Sequence, residues 1–483
     1  MRKRKFISIA FLLVVLIQGS CKKLVEVDAP IDTINTKLVF SNDANATSAV
    51  LGIYINMMAP VNGINFIPLG VTTYNGLTAD ELKIFKPSVL NIYSNFYANT
   101  LSVNSIDNAS IWAELYRYVY SANVAIENLE GNNELSASVN MQLMGEVKFI
   151  RAFCYFYLTN LYGDVPLLTQ TNYSVNRLAS RTAQSGVYDQ IISDLKDAQR
   201  FLKPDYSVSI NQERIRPNKW AATALLSRVY LYMGRWKDAE VQSSAIISNE
   251  ILFSLPVIGS DSLNGLNTVF VKNSTETIWA LKPVVQGMNT FDASTFLLPP
   301  DDIPDPDRLI MSDGLIGAFE SGDLRRKAWV KAAKTEELPP KTNYYVYKYK
   351  IRSTLQDPAM EYTIVFRLAE QYLIRAEARA MQNYFDAGVM DLNRIRARAG
   401  LGNTNATDQN SLIKAILNER QVELFCEFGH RWFDLKRTKN IDMVMKMVSP
   451  LKGTVWNTNF QLFPIPQSER SKNVNLTQNT GYD

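Results

Sequence analysis

The stretch "NERQVELFCEFGHRWFDLKR" gathers Glu419, Arg420, Glu423, Glu427, His430, Arg431 and Asp434, the side-chain types used in acid–base chemistry. If it is helical, Glu419, Glu423 and Glu427 lie four apart on one face. Like charges so placed repel unless cations sit among them. Arg420, Arg431 and the arginines of "RIRAR" can supply those cations as partly buried, paired guanidinium groups. A structural salt network is therefore expected here rather than a catalytic centre. His430 is the only histidine of the chain, so any histidine-based triad or zinc site would have to use it. It is read as a packing or hydrogen-bonding residue.

Two other chemistries are written in loops. "DDIPDPD" carries Asp301, Asp302, Asp305 and Asp307, oxygen ligands of the kind calcium takes. No glycine-containing twelve-residue loop accompanies them, and prolines interrupt the ligand spacing. The expectation is a solvated loop, with Asp301, Asp302 and Asp305 a weak metal candidate and no cofactor. A glycosidase pair would need carboxylates about 5–9 Å apart, one with its pKa raised by burial, and a run this polar argues for exposure. Sugar binding asks instead for flat aromatic faces beside amides, carboxylates or guanidinium groups. Most of the 23 Tyr and 22 Phe fall at helical core spacing. The candidates outside it are Tyr74, Asp80, Tyr93, Asn95, Phe96 and Tyr97 in "TYNGLTADELKIFKPSVLNIYSNFYAN", then Trp279, Phe291, Phe296 and Tyr344 further on. At least two of these aromatics are expected to line a ligand site.

The elements that must carry these residues are mainly helical. Apolar residues recur at three- and four-residue spacing over 111–129, 142–161, 188–202, 219–233, 236–248, 362–381, 385–399 and 412–428. "NKWAATALLSRVYLYMG" is apolar nearly all round, as in a helix covered on both sides. Two helix–turn–helix units share one order. The first has Gly234, Trp236 and Ala239; the second has Asn383, Tyr384 or Phe385, and Ala387. A small residue in the second helix permits close approach, the packing logic of tetratricopeptide-like pairs. Residues 62–110 and 254–361 are rich in Asn, Ser, Thr, Gly and Pro and are read as long loop-rich excursions, with "NYYVYKYKI" as a short strand.

The N-terminus reads as a leader. Arg2, Lys3, Arg4 and Lys5 precede an apolar run from Phe6 to Ile17, too short for the roughly 20 residues of a membrane-spanning helix, and Gly19 and Ser20 precede Cys21. This pattern resembles a bacterial lipobox, although Gln18 departs from it, and Cys21 is read as an acylated tether after a signal peptide of residues 1–20. Cys154 and Cys426, in apolar helical stretches, are read as buried free thiols. A net charge of +4 without basic blocks gives no case for nucleic acid.

Several segments in order resemble the SusD/RagB family of nutrient-binding outer-membrane lipoproteins of Bacteroidetes. They include "WAELYRYVYSANVAIENL", "GEVKFIRAFCYFYLTNLYGDVPLL", "NKWAATALLSRVYLYMGRWKDA", "FRLAEQYLIRAEARA", "GHRWFDLKR" and "LFPIPQSERSKNVNLTQNTGYD". The resemblance implies tetratricopeptide-like helix pairs wrapped by an irregular ligand-binding portion. It places residues 21–483 in a single body, with an N-terminal part to about 250 and a C-terminal part from about 251. It further implies a lipid-anchored protein facing outward from the outer membrane, which binds an oligosaccharide or other nutrient and delivers it to a SusC-like TonB-dependent transporter without catalysis. "CKKLVEVD" lacks the acidic cluster that many surface-exported lipoproteins of this phylum carry, so outward display is implied by the family alone. The competing readings are a lipid-anchored glycoside hydrolase and a helical-repeat adaptor that binds only proteins.

Overall fold

The computed structural model describes residues 36–59, 66–86, 93–256, 262–298, 308–335, 339–352 and 359–482. Cys21 and the Asp301, Asp302, Asp305 and Asp307 run lie outside the described residues. The fold is mostly helical with a few short strands. Its main helices are α1 (Asp43–Met58), α2 (Val71–Thr78), α3 (Ile106–Leu129), α4 (Ala137–Tyr162), α5 (Gln184–Phe201), α6 (Lys219–Tyr232), α7 (Trp236–Ile247), α8 (Leu368–Met381), α9 (Phe385–Arg398), α10 (Gln409–Glu423) and α11 (His430–Arg437).

From α3 to α10 each helix packs on the next, so the chain builds a row of antiparallel pairs. Helix α4 is the axis of that row. Apart from Lys148, every residue from Gln142 to Tyr162 is buried, because α3 and α5 cover it from two sides. Helix α6 is likewise buried from Ala221 to Leu231, as its all-round apolarity requires. The α6–α7 and α8–α9 hairpins turn through Gly234 and Asn383, both at positive φ. Ala239 fills the close approach in the first hairpin with no exposed surface. In the second the close-approach residue is Gly388, not the expected Ala387. A Cβ on Gly388 would sit 3.0 Å from the Ala376 carbonyl oxygen and 3.1 Å from Leu412.

Residues 254–361 interrupt the row between α7 and α8 and carry four of the eight strands found among the described residues. The eight are β1 (Leu82–Ile84), β2 (Val165–Pro166), β3 (Arg181–Thr182), β4 (Thr277–Leu281), β5 (Leu309–Met311), β6 (Val330–Lys334), β7 (Thr342–Val346) and β8 (Thr363–Arg367), paired antiparallel as β1–β5, β2–β3, β4–β8 and β6–β7. The strand expected within "NYYVYKYKI" is β7. Two helical expectations are corrected. Residues 363–367 form β8, a fully buried run whose apolar continuity imitates a buried helix. The last long helix stops at Glu423, because Cys426, Phe428 and Gly429 take positive φ and turn the chain before α11. Among the described residues no helix is long and apolar enough to cross a membrane.

Candidate functional site

The acidic face of "NERQVELFCEFGHRWFDLKR" is a buried ion network. Glu423 accepts from Arg325 at 2.9 Å, from Arg367 at 2.5 Å and from Arg398. Arg367 also reaches Glu276 at 2.8 Å and Glu427 at 2.7 Å, and Lys348 pairs with Glu427. Glu419 meets Arg325 at 2.6 Å and Arg396 at 3.3 Å. Burial alone would raise the Glu423 carboxyl, yet Arg398, Arg367 and Arg325 hold it well below the usual carboxylate range. Of the "RIRAR" arginines, Arg396 and Arg398 take part as expected. Arg420 and Arg431 do not: they pair with Asp434 and Asp80, each at 2.7 Å. His430 is buried, with Nε2 3.5 Å from Arg228 and 4.0 Å from Glu370. Burial, reinforced by the surrounding cations, keeps its pKa far below the usual value. The buried imidazole packs in the interior beside Arg228 and Glu370.

The sequence-nominated binding residues separate by exposure. Trp279 lies on β4 with no exposed surface, against Phe149, Phe153 and Phe366, and its indole N–H donates to the Ile215 carbonyl at 3.1 Å. Phe296 is buried too, and Phe291 packs against the core with part of its ring exposed. Asp80 is engaged by Arg431 through two 2.7 Å hydrogen bonds, and Tyr97 lies under the Lys452 ammonium at 5.3 Å. The remaining aromatics form a column that rises from the core. Phe463 meets Phe96 at 5.8 Å, Phe96 stacks on Tyr74 at 4.1 Å with 13° between planes, and Tyr74 meets Tyr93 at 6.1 Å. Phe96 and Tyr74 are buried, Tyr93 is partly exposed and Asn95 is exposed. Tyr344 is partly exposed on β7, with Arg326 5.7 Å above its ring. No group of three or more His, Cys, Asp or Glu that could hold a metal is found among the described residues.

Behind this column Glu81 is buried, accepting the Cys426 backbone N–H at 3.1 Å, and burial pushes its carboxyl up to about 8. An unfolded glutamate titrates near about 4.3. The folded state therefore holds a proton that the unfolded state has lost between those values, so this group's contribution to stability declines as pH rises through that window. Burial lowers Lys436 and Lys452 to about 7, which tilts the profile the other way. A variant compared with its parent cancels those terms. Glu81→Gln is expected to melt above wild type at about pH 9 and no higher at about pH 4, read by thermal denaturation across pH.

The sequence reading missed a groove of about 470 Å³ between α3, the segment after β2 and the C-terminal turn. Trp112, Tyr116 and Tyr120, at four-residue spacing on α3, line one wall, and Tyr173 faces it across the mouth. Their helical spacing reads as core. Tyr120 is nevertheless 54% exposed and Tyr173 76% exposed, because no element among the described residues covers them. The opposite wall is stitched in place: Asn473 and Asn475 donate to the carbonyls of Ala179 and Leu178, and Arg181 donates to Asn479 at 2.5 Å.

Residues 48–231 match the SusD-like family model described as starch-binding and associating with the outer membrane, and residues 327–482 match the model of the SusD family. The chain belongs to the SusD/RagB family. A SusD-like protein, P25, from Formosa agariphila is 26% identical over 96% of this chain and 97% of its own length. The starch-binding protein SusD of Bacteroides thetaiotaomicron is 23% identical over 74% of this chain and 76% of its own. The fold matches a SusD superfamily crystal structure from Bacteroides vulgatus with a TM-score of 0.75 at 20% identity, covering 92% of this chain and all of the other. A laminarin-binding SusD-like protein superposes with a TM-score of 0.73 at 23% identity, covering 91% and 100%. In this SusD/RagB chain the matched regions take in both the aromatic column and the ion network, apart from Glu276 and Arg325.

Proposed function

We propose that this SusD/RagB member is a non-catalytic receptor that binds an oligosaccharide at the outer membrane and passes it to a SusC-like TonB-dependent transporter. Residues 1–20 are its leader, Cys21 is its acylated anchor and residues 21–483 are its body, with N- and C-terminal parts meeting near residue 250. The observation that carries the reading is the aromatic column. The buried Phe96 and Tyr74 lead to the partly exposed ring of Tyr93, with the exposed side chain of Asn95 two residues on. That pairing presents a flat face for a pyranose ring and a donor and acceptor for its hydroxyls. The starch- and laminarin-binding relatives support a glycan as the ligand.

Calorimetric titration of neutral oligosaccharides into the full chain in mild detergent tests this. With a ligand that binds, Tyr93→Ala is expected to weaken affinity about three- to tenfold, the worth of one aromatic contact. Unchanged affinity would remove Tyr93 from the site.

A further inference from the structure

The groove on α3 is separate from the Tyr93 column and has a different electrostatic character. Its walls are largely aromatic and aliphatic, with Trp112, Tyr116 and Leu168 the less exposed and Tyr120 and Tyr173 the more exposed, and amides such as Asn123 complete the lining. Three cations border it, Arg117, Arg177 and Lys472. The single acid in the lining, Glu469, is already paired with Lys472 at 2.8 Å. Arg117 donates to the Tyr118 hydroxyl and lies near enough to Glu114 to favour that carboxylate, whereas among the described residues no carboxylate forms an ion pair with Arg177. The amide floor is electrically closed. Asn123 donates to the Leu168 carbonyl and accepts from Arg151, whose charge is met by Asp194. The cation left without a carboxylate is Arg177, in a lining that also carries the exposed tyrosine faces.

We propose that this groove is a second binding site, selective for an acidic oligosaccharide. Tyr120 and Tyr173 stack on the sugar faces while Arg177 and Arg117 take the carboxylates. Three observations fit that occupant. The volume lies within the roughly 300–1,000 Å³ of small-molecule clefts. Tyrosine faces flanked by amides suit pyranose rings, and planar guanidinium groups match carboxylates in two-pronged hydrogen bonds. The wall formed by the C-terminal turn is fixed by its hydrogen bonds to 178–181, so little ordering is needed on binding.

The test uses the full chain in mild detergent, with trigalacturonate and its fully methyl-esterified counterpart as probes, followed by triglucuronate and trimannuronate if neither binds. The free acid is expected to bind about tenfold more tightly than the ester, with affinity falling as salt is raised. Arg177→Gln should abolish that preference, and Tyr173→Ala should weaken acid and ester alike. Both side chains are exposed, and unchanged melting curves would show the variants folded. Tyr93→Ala, in the other site, should leave trigalacturonate binding unchanged. The proposal is overturned if acid and ester bind equally, if none of the three uronate trimers binds, or if Arg177→Gln and Tyr173→Ala have no effect. It is overturned as well if Tyr93→Ala abolishes the binding, or if a copurifying protein shields Tyr173 and Arg177 from chemical modification, which would make the groove a protein interface.

Discussion

Replacing Glu423 by alanine is expected to destabilise the protein by about 3–5 kcal/mol, the cost of removing one partner from a buried ion pair. The loss follows from what remains. Arg325, Arg367 and Arg398 converge on that one carboxylate from three separate parts of the chain, and all three are buried. Arg367 keeps Glu276 and Glu427, and Arg325 keeps Asp323 and Glu419. Without Glu423 three buried guanidinium groups lose the carboxylate acceptor they share. Because Arg325 comes from the irregular half and Arg398 from α9, the damage should appear as loosening between the two. The measurement is a lowered urea midpoint together with faster proteolysis within residues 254–361. A wild-type midpoint would mean that the network fills space without tying the halves together.

The second large effect concerns attachment. Cys21→Ser is expected to move the protein from the membrane fraction to the soluble fraction almost completely. Each methylene of an acyl chain buried in a bilayer contributes about 0.8 kcal/mol, so one chain binds reversibly and two or more anchor a protein stably. The hydroxyl of serine removes all of them together. Among the described residues no membrane-crossing helix offers a second attachment. Fractionation of cells expressing the variant reads the result, and an unchanged membrane fraction would contradict the anchor.

Local periodicity revealed the helices well because each is buried on a face that repeats every turn. "NKWAATALLSRVYLYMG" announced a helix covered on both sides, and α6 is one. The row of pairs follows from Gly234 and Asn383 at the turns, although the small residue of the second pair is Gly388 and not its neighbour Ala387. What escaped depended on distant chain. β8 is a strand only because β4, more than eighty residues earlier, supplies its partner, and no local pattern contains that pairing. Trp279 lies in a segment of loop-like composition and was nominated for ligand binding, yet β4 carries it into the core. The reverse error hid the groove. Tyr120 has the spacing of a core residue on α3, and its exposure is decided by the absence of a covering element among the described residues, which sequence does not encode locally. The acidic run at 419, 423 and 427 was readable as a salt network from charge repulsion alone. Its principal cations, Arg325, Arg367 and Lys348, come from regions that carried no motif pointing towards it.

The central claim is that this chain holds a glycan and leaves it unaltered. Titration of an oligosaccharide panel into the full chain, with mass spectrometry of the sugar recovered afterwards, tests it most directly. The account predicts saturable binding of at least one oligosaccharide, returned at its original length. Shortened products, or no binding across neutral and acidic glycans alike, would contradict it.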